Sequence, residues 1–145
     1  MNLTEISISG SRIVGALTKL GHAGPKHHGI IIGKNIFNNE VYVAENRHTI
    51  GYVLATYDDF IERYSPNAGV HLYENDGKYS NREVAERALT EVNNGGSGKY
   101  NIIVNNCESF SNRAMYDDSN SKQIINIAIG VLVLAGAFWV ITRKK

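Results

Sequence analysis

Apolar residues in the first half of the chain come in short runs separated by turn-forming residues. Residues 11–17 and 26–33 flank a Gly/Pro-containing turn, GHAGP. The second of these runs contains HHGIIIG, rich in β-branched residues and closed by glycine, as a strand should be. After the turn-forming KNIFNN comes EVYVAE, another strand pattern, in which Val41, Val43 and Glu45 share one face and Tyr42 and Ala44 the other. GYVLA, residues 51–55, predicts a third strand.

The pattern then turns helical. TYDDFIERY, residues 56–64, predicts a short helix capped by Thr56, with Asp58 and Asp59 suited to the positive end of its dipole. The clearest helix begins at Ser80. SNRE is a capping box, with Ser80 as N-cap and Glu83 three residues on. Val84, Ala88, Leu89 and Val92 form its apolar stripe, and Gly95-Gly96 stop it. YNIIV follows, and NNCESFSNRAM reads as the start of another helix. Helices with short, partly sequential strands predict an α+β fold built on a small antiparallel sheet.

Residues 124–141, IINIAIGVLVLAGAFWVI, carry no charge. As a helix they span roughly 27 Å, near the ~30 Å hydrocarbon thickness of a bilayer. Trp139 suits the interface, and Arg143-Lys144-Lys145 follow as a charged stop. The expectation is one C-terminal transmembrane helix at 124–141, a basic tail at 142–145, a juxtamembrane linker at 119–123 and a catalytic domain at 1–118. The opening MNLTEISISGSR lacks a basic and then apolar signal profile, so the single-pass anchor is expected to insert tail-first, leaving the body in the cytoplasm. The positive-inside rule pulls the RKK end toward the cytoplasm instead, and three charges do not decide the matter.

Composition changes this picture little. The formal charge of +1 divides into −2 up to Lys122, from 12 Lys/Arg against 14 Asp/Glu, and +3 from the last three residues. No basic face suggests a nucleic-acid partner. A single cysteine excludes an intramolecular disulfide and a cysteine-rich zinc site, and favours a reducing compartment. His22, His27 and His28 crowd a glycine-bearing turn without the helical HxxxH spacing that converges two imidazoles on a metal, so no metal and no cofactor is expected.

Cys107 carries the candidate chemistry. It follows Asn105-Asn106, and asparagine is among the best N-caps. First-turn amides and the helix dipole favour a thiolate there. A cysteine nucleophile also needs an imidazole base and a group to orient it. His27 and His28 stand about 80 residues earlier, and only one of them can share a strand face with Gly29 and Ile31.

HHGIIIG, followed about 75 residues later by YNIIVNNCESFSN, resembles the lecithin–retinol acyltransferase-like family, circularly permuted relatives of the NlpC-type papain-like hydrolases. VLATYDDFIE and the long helix leading into NNCE match the intervening pattern, so the likeness covers roughly residues 10 to 115. It implies a permuted papain-like fold. It also implies Cys107 as nucleophile, His27 as general base and later acid, and an oxyanion held by backbone N–H groups near Cys107. Members transfer or hydrolyse fatty acyl chains of glycerophospholipids, so the expected partners are a membrane phospholipid substrate and the lipid bilayer. The family's third residue is often a histidine, and the simplest alignment puts Val43 in its place. Glu45, the nearest polar residue on that strand face, is the favoured third member, with Asn46 and His48 as alternatives reachable through a bulge. A cysteine peptidase or amidase, and a membrane-bound scaffold without strong activity, are the competing functions.

Overall fold

The computed structural model describes residues 2–143, with side chains as far as residue 135. Among the described residues six strands form one antiparallel sheet: β1 (Leu3–Thr4), β2 (Arg12–Ala16), β3 (Lys26–Asn35), β4 (Val41–Arg47), β5 (Gly51–Thr56) and β6 (Val70–Tyr73). Their order is β5-β4-β3-β2-β6, with β1 paired to the far end of β3. Four helices accompany them: α1 (Tyr57–Tyr64), α2 (Asn81–Asn93), α3 (Cys107–Tyr116) and α4 (Lys122–Arg143). The fold is therefore α+β.

The run IIIG in β3 is continuously apolar because both faces of the sheet are covered. Ile30 and Ile32, with Ala44, lie under Val84 and Ala88 of α2 and Phe110, Ala114 and Met115 of α3. Ile31 turns the other way, with Ile13 and Val43, onto Phe60 and Tyr64 of α1. Each fully buried isoleucine contributes about 1.5–3 kcal/mol relative to exposure. The alternation read from EVYVAE holds: Val43 and Ala44 belong to opposite clusters. Gly15 of β2 makes one close approach possible. A Cβ there would lie 2.3 Å from the ring of Tyr64.

The predicted caps are present. The Thr56 hydroxyl accepts from the Asp59 N–H at 3.1 Å, and Ser80 and Glu83 close a reciprocal capping box. Two strands were not legible in the sequence. β1 has only two residues, and β6 is an edge strand on β2 whose last three residues are exposed, so neither leaves an alternating pattern. YNIIV makes a turn closed by an Asn101–Asn105 bridge, with Ile102, Ile103 and Val104 63–65 % exposed.

The C-terminal stretch is helical as far as Arg143. Among the described residues, however, no helix is long and apolar enough to cross a membrane. The span expected at 124–141 is thus not found there, and the side chains of its last part, 136–141, lie outside the described residues. The segment expected as a linker is tied to α3. The Ser121 hydroxyl donates to Glu108 at 2.6 Å, and Asn112 donates to the Asn120 carbonyl.

Candidate active site

Cys107 opens α3. Asn106 is the N-cap, its side-chain oxygen accepting from the Ser109 N–H at 2.9 Å while its amide donates to the Ile102 carbonyl at 2.8 Å. Asn105 has a different task. Its oxygen accepts from Tyr52 and Arg113, and its amide group faces the carbonyls of Ser97, Gly98 and Lys99. The approach to Cys107 is therefore pinned on both sides, with the thiol nearly buried at the positive end of α3.

The imidazole comes from β3. Strand alternation puts His27 on the α1 face, where its ring stacks on Tyr64 at 5.5 Å between centroids. Gly29, two residues on, pairs with Glu45 of β4, which brings the carboxylate to the same face. His27 Nε2 and Glu45 Oε2 are 2.7 Å apart, and the Cys107 thiol lies near enough to the same imidazole to favour its charged form. The three residues singled out in the sequence thus converge. Asn46 and His48 do not join them. Asn46 faces the other side and donates to the Asn105 carbonyl at 3.0 Å, whereas His48 lies beyond β4 with its edge against Tyr100.

Glu45 is fully buried, and a lone carboxylate there would be costly. Arg63 of α1 supplies a two-pronged contact, Nη2 to Oε1 at 2.6 Å and Nη1 to Oε2 at 3.1 Å. Burial alone would raise the Glu45 pKa, but hydrogen bonds from His27 and Arg63 outweigh it and hold the group below its ordinary value. Burial likewise opposes charge on His27. The Cys107 and Glu45 contacts overcome it, and the pKa rises to about 9.

Arg63 is a residue that sequence reasoning missed. Its one local signal, the i,i+4 spacing from Asp59, fits an ordinary surface pair equally well. The C-terminal segment was missed too. Gln123 accepts from the Lys26 N–H at 3.0 Å and donates to the Lys26 carbonyl at 3.4 Å, and that carbonyl lies 3.8 Å from the Cys107 sulfur. The buried Glu108 accepts from the Gln123 N–H at 3.1 Å and completes the junction. His22, meanwhile, stacks on His71 with 3.6 Å between centroids, so the three crowded histidines occupy three separate settings.

Residues 13–120 match the family model described as lecithin retinol acyltransferase, which spans most of the chain and contains His27, Glu45 and Cys107. The chain belongs to the lecithin retinol acyltransferase family. No curated protein and no solved structure matches it. Membership in the lecithin retinol acyltransferase family carries acyltransferase-type thiol chemistry in general terms.

Proposed function

We propose that this protein transfers or hydrolyses fatty acyl groups of membrane phospholipids through an acyl-thioester at Cys107. The observation that carries this reading is the pairing of one imidazole, His27, with the buried Glu45 carboxylate close to the Cys107 thiol. With Nε2 occupied by Glu45, Nδ1 is the ring nitrogen left to serve the sulfur. His27 holds the thiol proton while the sulfur attacks the ester carbonyl. The N–H groups at the head of α3 receive the oxyanion. The ester C–O bond then breaks, and His27 passes the proton to the departing lysolipid oxygen. Water or an acceptor hydroxyl or amine next attacks the thioester, gives its proton to His27, and restores the thiol. Glu45 takes no proton; it keeps the imidazole oriented and favours its charged form. The contact of Glu45 with His27 favours the enzyme over a scaffold, since it offers a third member although Val43 stands at the place of the family's histidine.

The same reading assigns the tail to the membrane, with the catalytic domain on the cytoplasmic side. Ile125, Ile127, Ile129, Val131, Leu132, Val133 and Leu134 are 47–72 % exposed on successive sides of α4, an apolar surface that suits lipid. Tethering there would hold the thiol at the interface where two-chain lipids reside.

Acyl release from phosphatidylcholine vesicles by the wild type, Cys107→Ser and His27→Gln tests the proposal. The account expects losses of about 10³-fold or more in both variants. Equal activity in Cys107→Ser and the wild type would refute the nucleophile, and wild-type inactivity on every ester would favour a scaffold.

A further inference from the structure

We infer that the cavity beside Arg12 and His28 is an anion subsite that holds the phosphate of the acyl donor's headgroup, an inference that rests on the phospholipid reading above. The cavity measures about 230 Å³ and lies across β3 from His27. It is too small for an acyl chain together with a headgroup, since sites for drug-sized ligands occupy about 300–1,000 Å³.

Two residues that line the cavity, Arg12 and His28, carry buried donors without a partner among the described residues. Gln123 takes the Lys26 N–H on its oxygen, which fixes its nitrogen as the group 3.2 Å from His28 Nε2. An amide nitrogen only donates, so Nε2 accepts and the His28 proton resides on Nδ1. That Nδ1 is buried with no partner among the described residues, on a side chain only 6 % exposed. The Nε of Arg12 is buried and unpartnered in the same way. A buried donor left unsatisfied costs about 1–3 kcal/mol, more when charged.

The charge of the cavity agrees. Among the described residues Arg12 has no carboxylate within ion-pair distance, and its guanidinium bonds only to the Asn112 side chain. Lys26 and Lys122 line the same space. Of the two acids that also line it, Asp76 accepts the Tyr116 hydroxyl and Glu74 is exposed. Burial opposes the charge on Arg12, and Tyr116, Glu108 and Asp76 nearby favour it. Lys26 joins the two sites, since it lines the cavity and its carbonyl lies 3.8 Å from the Cys107 sulfur. A donor with its phosphate against Arg12 and His28 would bring an ester group toward the sulfur.

The test compares kcat/KM for phosphatidylcholine and for diacylglycerol, which lacks the phosphate, in the same mixed micelles. Arg12→Gln should lower the phosphatidylcholine-to-diacylglycerol ratio tenfold or more, chiefly through KM, and Arg12→Lys should recover part of it. Lys122→Glu, at the exposed rim, should lower the ratio severalfold and serves if Arg12→Gln fails to fold. An unchanged ratio in the folded variants overturns the subsite. If the wild type acts on neither donor, the functional reading fails, and titration with glycerophosphocholine decides the cavity alone. Binding weakened tenfold by Arg12→Gln supports it, and binding absent or indifferent to the variant overturns it. Binding of inorganic phosphate without glycerophosphocholine would make free phosphate the occupant and overturn the headgroup assignment.

Discussion

His27 Nε2 lies 2.7 Å from Glu45 Oε2, and the carboxylate it meets is fully buried between that imidazole and the Arg63 guanidinium. An isolated buried anion would neutralise; one with two cationic or donating partners stays charged and passes its field to the imidazole. The α1 helix thereby supports the site without any of its residues contacting the thiol in the described hydrogen bonds.

Glu45→Gln preserves the size of the side chain and removes its charge. The account predicts a loss in kcat/KM of about 10²–10⁴-fold, the range typical of a misoriented catalytic histidine. With the carboxylate gone His27 holds its proton less tightly, so the alkaline limb of the pH–rate profile moves to lower pH. A profile in the wild-type position would show that Glu45 does not act on His27.

Protonation of His27 also links stability to pH. Its pKa is about 9 when folded and 6.5 as a free imidazole, so the folded protein binds this proton more tightly. The resulting stabilisation is complete below about pH 6.5 and disappears as pH rises through about 9. The interval corresponds to about 3 kcal/mol. Urea unfolding at pH 6 and pH 9.5 should show the loss, and Cys107→Ala should shrink it, because the thiol contact is the largest influence raising the pKa.

Arg63→Met strips Glu45 of its two-pronged partner. Removing one member of a wholly buried pair costs about 3–5 kcal/mol. Arg63 is one-fifth exposed, so about 2 kcal/mol is expected. The double variant with Glu45→Gln should cost less than the sum of the singles, since no buried anion remains to be orphaned. Denaturant midpoints for the four proteins test this, and strict additivity would contradict it.

Asn106→Ala removes the cap of α3 and the tie to Ile102 together. About 1–2 kcal/mol of stability should be lost, with a fall in kcat exceeding any change in KM because the residue it displaces is the nucleophile. Thermal unfolding and steady-state kinetics on the same preparation distinguish the two effects.

What could be read from the sequence was local. The Ser80 box, the Thr56 cap and the Asn106 cap are bonds spanning three residues, so their residue types suffice. The family likeness chose His27 over His28, with alternation along β3 in agreement, and Glu45 was the nearest polar residue on the strand face of Val43. The contacts that complete the site join residues far apart. Arg63 reaches Glu45 from the next helix, and Gln123 reaches Lys26 across 97 residues, each through a side chain that would look solvent-facing in isolation. β6 was hidden for the opposite reason: an edge strand held by backbone bonds, with three of its four side chains exposed, imposes little on sequence.

The central claim is that Cys107 carries the acyl group. Intact mass of the full chain, acid-quenched during turnover of phosphatidylcholine in micelles, tests it most directly. The account predicts an adduct of one fatty acyl group, mapped to Cys107, released by hydroxylamine and absent from Cys107→Ser. Turnover with no such adduct on Cys107, or undiminished turnover by Cys107→Ser, would contradict it.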